Sequence, residues 1–286
     1  MTYRFIDEHR RQWPVRLLCE TLEVSPAGYY AWRQCPRSDR QQQRDALLVE
    51  IRAIHAQFKG RYGSPRIHAE LVTRGHACCV NTVAKLMREA GIAAKTARKF
   101  RCSTTDSDHD LPVAENLLDR QCNPSEANEA WVADITYIPT RQGWLYLAAV
   151  EDLYARRVAG WAMAEHVESR LVVGAPAMAV QRRLPDEGLL AHSDRGRQYA
   201  SEPYRLLPAQ QGITCSLSRR ADCWDNAPME SFFASLKKEL IHGSDFATRA
   251  AARAAVVEYI EVFYNNQRLH SSLGYVSPAE YERQHC

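Results

Sequence analysis

The sequence predicts an α/β chain in two parts: an all-helical helix-turn-helix region, then a mixed sheet with helices on its faces. Three observations predict it. The 286 residues exceed what one ordinary domain needs. Charge is segregated: residues 1–102 carry 19 Lys+Arg against 9 Asp+Glu, net +10, and residues 103–286 carry 18 against 25, net −7, within an overall net charge of +3. Helical periodicity also gives way, after Ser103, to β-branched and aromatic segments. A basic amino-terminal third is the electrostatic footprint of a phosphate-binding module, with plain solvated charge as its alternative. An acidic remainder must avoid polyanions or hold cations.

No run of ~18 apolar residues occurs, and Met1 is followed by the charged segment TYRFIDEHRRQ. The expectation is a soluble chain with no membrane partner, cytoplasmic and nucleoid-associated. The nine cysteines are scattered, with Cys78 and Cys79 adjacent and no CxxC, which reads as reduced thiols. No histidine pair at ligand spacing accompanies a close cysteine pair, which argues against zinc.

Residues 1–40 read as a short helix-turn-helix-like segment. Val15 to Leu22 is apolar and helical, Glu23-Val24-Ser25 turns, and Pro26 opens a second helix capped by Ser25. That helix carries Tyr29, Tyr30, Trp32 and Arg33, which suit a core and a DNA-facing surface equally. Residues 41–102 read as a helix-turn-helix DNA-binding domain. Leu47, Ile51, Ile54 and Phe58 share one helical stripe, a break at Gly63-Ser64-Pro65 precedes a helix from Arg66 to Arg74, and a third runs from Thr82 to Ala90. Asn81 is its expected cap and Gly91 its stop. Val83, Leu86, Met87 and Ala90 form the buried stripe, while Lys85 and Arg88 point elsewhere. Lys95, Arg98, Lys99 and Arg101 extend the basic surface as an arm that tracks a phosphate backbone, or as a solvated tail.

A linker is placed at 103–125, its polar, acidic part at 103–112. The core at 126–244 opens with Trp131 to Pro139, a turn at Arg141-Gln142-Gly143, and a return over Trp144 to Val150. Arg157 to Met163 completes an antiparallel meander. A helix at 168–182, a strand at Leu189 to His192, a helix from Glu202 to Gln211, a strand at Ile213 to Leu217 and a helix from Ala227 to Ile241 follow. Three antiparallel strands continued by strand and helix alternation give the order of the RNase H-like fold. Residues 245–286 read as a helix and tail packed on the core, an interface being the alternative.

Three carboxylates stand out against this frame. Asp134 interrupts an apolar strand, Asp194 follows an apolar strand at its carboxyl end, and Glu230 begins a helix. A carboxylate inside a strand is costly unless paired or metal-bound. Asp194 alone suits a loop or a helix cap, and Glu230 alone suits a helix amino terminus. Two-metal phosphodiester chemistry needs carboxylates from separate elements converging on ions ~3.5–4 Å apart. Between the aspartates lie 59 residues, and 35 separate Asp194 from Glu230. Asp152 and Asp225 are competing carboxylates without that spacing.

This spacing resembles the DD(35)E signature, and its context does too. WVADITYI, LLAHSDRGRQYAS and RRADCWDNAPMESFFASLKKEL around the three acids resemble OrfB-type bacterial insertion-sequence transposases of the retroviral-integrase superfamily. YGSPRIHAEL, NTVAKLMREAGI, NLLDRQ and YNNQRLHSSLGYVSPAEY extend the resemblance over nearly the whole chain. The resemblance implies that Asp134, Asp194 and Glu230 are catalytic and hold two Mg²⁺ ions, replaceable by Mn²⁺, while water or a 3′ hydroxyl attacks a phosphate. It also implies that Lys237, seven residues after Glu230 on the same helix face, contacts terminal DNA. Arg219, Arg220, Trp224 and Asn226 are candidates for binding strand ends, or ordinary loop residues. Expected partners are double-stranded DNA, as element terminal inverted repeats and target, a second copy of the chain, and the product of an upstream reading frame. The separate helix-turn-helix and long heptad helix of this group belong to that upstream frame. The expected activity is metal-dependent end cleavage and strand transfer, with a DNA-binding regulator lacking independent catalysis as the alternative and a simple nuclease as a third.

Overall fold

A computed structural model of the chain describes residues 2–34, 39–95, 116–119, 122–194, 212–218 and 226–285. The predicted linker at 103–112, the predicted helix over 202–211, and Arg98, Lys99, Arg101, Arg219, Arg220, Trp224 and Asp225 lie outside the described residues. The chain divides into two compact units, Met1–Ala94 and Lys95–Cys286.

The first unit is helical. α1 (Thr2–His9), α2 (Val15–Thr21) and α3 (Pro26–Gln34) meet around Ile6, Cys19 and Tyr29, with Tyr3 and Trp32 packed against them. Ser25 caps α3 as predicted, its Oγ accepting from Gly28 N–H at 3.0 Å. The aromatic cluster divides: Tyr29 is buried and donates to Asp7 at 2.8 Å, whereas Tyr30 is exposed. α4 (Asp39–Gln57), α5 (Ser64–Thr73) and α6 (Val80–Glu89) follow. Ile51 and Ile54 of α4, Ile67 and Leu71 of α5, and Val83, Leu86 and Met87 of α6 are buried. α6 starts earlier than the sequence predicts. Cys79, not Asn81, is the N-cap, its Sγ 3.2 Å from Thr82 Oγ1, and Asn81 sits inside the first turn. Gly91 ends the helix at a positive φ of 66° that a side chain would disfavour.

The second unit is built on a five-stranded sheet of order β3-β2-β1-β4-β5. β1 (Ala130–Thr140), β2 (Gly143–Asp152) and β3 (Arg157–Ala164) form the antiparallel meander. β4 (Leu190–Ser193) runs parallel to β1, and β5 (Thr214–Leu217) parallel to β4. This is the RNase H-like arrangement that the strand order predicts. Period-two alternation sorts β1. Trp131 and Ala133 join a cluster with Leu171, Val172, Ala175 and Ala179 of α7 (Ser169–Arg183), so Val132 and Asp134 project to the opposite face. α7 closes tightly on β3 because Gly160 has no side chain: a Cβ there would lie 2.2 Å from Ala175 O and 2.5 Å from Ala179 N.

α8 (Ala227–Glu239) ends sooner than predicted and passes into a 3₁₀ turn at Ile241–Gly243. α9 (Arg249–Val257), capped by Thr248 Oγ1 accepting from Ala251 N–H at 3.1 Å, continues into a π-helical stretch, Glu258–Tyr264. α10 (Pro278–His285) closes the chain. Asn265 ties this tail to the sheet edge, accepting from Val158 N–H and donating to Val158 O, both at 3.0 Å. Among the described residues no helix is long and apolar enough to cross a membrane.

Candidate active site

The parallel register of β1 and β4 pairs Ala133 with Ser193. The next residue on each strand is Asp134 and Asp194. Neighbouring strands run about 4.8 Å apart, so the two carboxylates emerge side by side at the carboxyl end of β4. Glu230 stands in the first turn of α8, exposed, with its helix held down by Met229, Phe232, Phe233 and Leu236.

The electrostatics couple the three. Burial pushes the Asp134 carboxyl up to about 8, the Asp194 carboxylate adds to the rise, and Glu230 adds less. Against them the Ile135 N–H, donating to Asp134 Oδ1 at 2.7 Å, and the Lys237 ammonium favour the charged form. Partial burial alone raises Glu230. Among the described residues no three His, Cys, Asp or Glu side chains stand close enough to grip one ion as they lie. The fields of Asp194 and, less, of Glu230 do reach Asp134, and a divalent cation would relieve that repulsion. An all-carboxylate oxygen donor set suits magnesium or manganese.

Lys237 lies on the Glu230 face of α8, its Nζ 5.0 Å from the centre of the Tyr137 ring. Tyr137 itself meets Trp144 edge to face at 4.9 Å. Lys238, one position round the helix, is exposed.

Other candidates sort differently. Asn226, expected at a strand end, is 6% exposed and its Oδ1 has no hydrogen-bond partner among the described residues. Lys95, expected on a basic arm, donates to Glu239 O at the carboxyl end of α8, 3.1 Å away. The carboxyl end of a helix carries partial negative charge and attracts an ammonium. Lys85 and Arg88 are exposed on α6, Lys85 3.9 Å from Glu89. Asp152 is buried in a network of donors. It faces α7, away from Asp134, accepting from Asn128 N–H at 3.0 Å, Tyr154 N–H at 3.1 Å and Arg183 at 2.9 Å. Burial raises its pKa and these donors oppose the rise.

Two buried networks escaped the sequence. His192, two residues before Asp194, has Nδ1 2.8 Å from Ser216 Oγ and Nε2 3.0 Å from Ser218 Oγ. Ser218 in turn donates to Ser193 O, and Ser216 accepts from Leu117 N–H, so β4, β5 and the NLLD segment are joined beside Asp194. The second network holds Glu239 and Arg268 at 2.9 Å. Spacing shows neither, because each pairs residues whose side chains meet only after the sheet forms; the one signal is His192 closing the apolar run Leu189-Leu190-Ala191.

The chain matches an HTH-like domain over residues 42–100 and an integrase core domain over residues 124–223 and again over 230–285. The insertion element IS600 uncharacterized 31 kDa protein of Shigella sonnei is 42% identical over 268 residues, covering 94% of this chain and 98% of that protein. Transposase InsF for insertion sequence IS3A of Escherichia coli strain K12 is 41% identical over 284 residues, covering 99% and 98%. Among solved structures, the HTLV-2 integrase catalytic core domain in complex with magnesium is 14% identical at a TM-score of 0.42, covering 56% of this chain and 99% of that one.

Proposed function

The chain belongs to the insertion-sequence transposases that include InsF of IS3, and on that footing we propose that Asp134, Asp194 and Glu230 are the carboxylates of its strand-cutting and strand-joining site. The enzyme is a polynucleotidyl transferase that acts on DNA. The observation that carries the residue assignment is the coupling of Asp134, lifted to about 8 by burial and by Asp194 and Glu230, at the end of two adjacent parallel strands.

These carboxylates would hold two divalent cations, magnesium or manganese, which supply Lewis-acid charge to the reacting oxygens. The protein's own contribution is positional. β1 and β4 fix Asp134 and Asp194 side by side, and α8 brings Glu230 and, on the same face, Lys237. Lys237, held over Tyr137, meets a phosphate of the element end. In the first step water attacks the phosphorus at the end, the P–O3′ bond breaks, and a 3′ hydroxyl is released. In the second that hydroxyl attacks a target phosphorus and loses its proton to solvent, a new P–O bond forms, and the target P–O3′ bond breaks, its oxygen leaving as a 3′ hydroxyl protonated from solvent. The HTH-like unit, with Lys85 and Arg88 outward on α6, binds duplex DNA, and two copies of the chain bring two ends together.

Replacing Glu230 by Gln tests the assignment. E230Q should bind end duplexes as tightly as the parent while strand joining with Mg²⁺ falls to background; joining at the parental rate would overturn the role of Glu230. A regulator without catalysis predicts instead that the parent itself joins nothing.

A further inference from the structure

Arg268 is 6% exposed, and its guanidinium is engaged on every side. Nε donates to both Glu239 carboxylate oxygens at 3.1 Å, and Nη2 donates to Glu239 Oε1 at 2.9 Å and to Ser235 Oγ at 2.8 Å. Nη1 lies 3.4 Å from His270 Nε2, and the fork sits 5.5 Å from the centre of the Tyr264 ring. Glu239 is 2% exposed and accepts a further hydrogen bond from Tyr259 Oη at 2.8 Å.

Both residues gripped by this fork belong to α8. Ser235 and Glu239 are four apart and share a stripe. Glu239 is nine residues from Glu230, which at about 100° per residue places it on the opposite side of the helix, whereas Lys237, seven residues on, returns to the Glu230 side. The guanidinium thus holds the back of the helix whose front carries Glu230 and Lys237. The segment bearing Arg268 is itself fixed to the sheet: Asn265, three residues earlier, clasps Val158 of β3, and the Arg268 N–H donates to Phe263 O at 2.7 Å. A continuous strut runs from β3 through Asn265 and Arg268 to α8, in the same sheet whose β1 carries Asp134.

A buried ion pair is weak evidence for stability, since apolar residues of similar volume often replace one without loss. A planar fork that binds a carboxylate and a hydroxyl one turn apart does fix roll and height, which apolar packing leaves softer and a lysine, as a point charge, does not reproduce. We propose that Arg268 is a positioning residue for strand transfer: through Ser235 and Glu239 it sets the rotation of α8, and with it the placement of Glu230 and Lys237 against Asp134. The proposal rests on the catalytic reading of Glu230.

The test uses the full chain, comparing R268K, the double variant R268M/E239L and E230Q. Displacement of a reacting group by about 1 Å costs on the order of a hundredfold in rate, so R268K should lose at least about tenfold in kcat for joining with Mg²⁺. Its melting temperature should stay near the parental value, and its KM for end DNA, through Lys237, should rise less than its kcat falls. R268M/E239L, which keeps an apolar contact and leaves no unpaired charge, should melt like the parent and show the same kcat loss. Mn²⁺, which binds oxygen donors more tightly than Mg²⁺, should recover part of the rate in both but none in E230Q. Parental kcat in either folded variant overturns the proposal, as does a loss confined to KM. Failure of both to fold also overturns it, by assigning Arg268 to folding. If E230Q joins DNA normally, the reading of Glu230 fails whatever Arg268 does; if E230Q is inactive and R268K is not, only the positioning role fails.

Discussion

Asp134 carries its charge at a cost. Its carboxyl titrates at about 8 in the folded chain against an ordinary value of 3.8, so between those pH values the folded state keeps a proton that the unfolded state has released. Stability from this group is therefore greatest below about pH 4, falls as pH rises toward 8, and is level beyond. Asp134→Asn removes the loss. In metal-free buffer the variant should exceed the parent by on the order of 1–3 kcal/mol at pH 8, discounted from the full shift for residual hydration, or a few degrees in melting temperature. The difference should shrink toward pH 5. Adding Mg²⁺ at pH 8 should raise the melting temperature of the parent and not of D134N. Parallel melting curves across pH, or equal stabilisation by Mg²⁺, would remove Asp134 from the cation site. A residual slope remains in D134N, because the buried Glu151 carboxyl is also raised to about 8 by burial. At this scale the spacing of the triad is a chain property and is legible in the sequence, whereas the surroundings of Asn226, buried, and of Lys95, at a helix terminus, are not. Whether a polar side chain faces solvent or a helix terminus depends on what packs over it, and nothing local in DNAPM or IAAKT states that.

Gly160 shows the same division among elements. That RVAGWAM forms a strand is legible from its composition, but the glycine's purpose is not, since it depends on α7 lying across β3. A Cβ there meets Ala175 O at 2.2 Å, Ala179 N at 2.5 Å and Ala179 Cβ at 2.9 Å, two of them backbone atoms that cannot swing aside. G160A should force α7 off the sheet and cost about 1–3 kcal/mol, lowering the urea midpoint with an unchanged slope. G243A is the control, because a Cβ at that position meets nothing within 4 Å; equal midpoints for the two variants would show that the α7 contact yields freely. Element ends were read less well than element types. α6 starts at Val80, with the extended Cys79 in the N-cap position and no side chain capping its amino terminus, although side-chain preference gives that place to Asn81. α8 stops at Glu239, where the chain passes into the 3₁₀ turn, and Tyr259 and Arg268 both donate to that carboxylate. The short strands β4 and β5 were legible, β4 as an apolar run, and their parallel register, which seats Asp194 beside Asp134, was not.

Over the whole chain the charge asymmetry divides the labour. The net +10 of residues 1–102 suits a polyanion, and the net −7 of residues 103–286 suits a catalytic unit that reaches DNA through cations and a few lysines. Affinity for duplex DNA should then be set mainly in the HTH-like unit and joining in the sheet unit, so the two can be altered separately. On α6, Val83, Leu86 and Met87 are buried while Lys85 and Arg88 stay exposed, an amphipathic division that leaves two cations for phosphates. Each phosphate neutralised adds about 0.9 to the slope of log affinity against log salt. K85A/R88A should therefore weaken binding to end and unrelated duplexes alike and lower that slope by roughly 2. The rate of joining at saturating DNA should match the parent, because neither cation lies in the unit that carries the carboxylates. An unchanged salt slope would mean that the outer face of α6 does not meet DNA. A weakening confined to the element's own ends would instead make these two residues readers of sequence, and the basic unit would then supply specificity as well as charge.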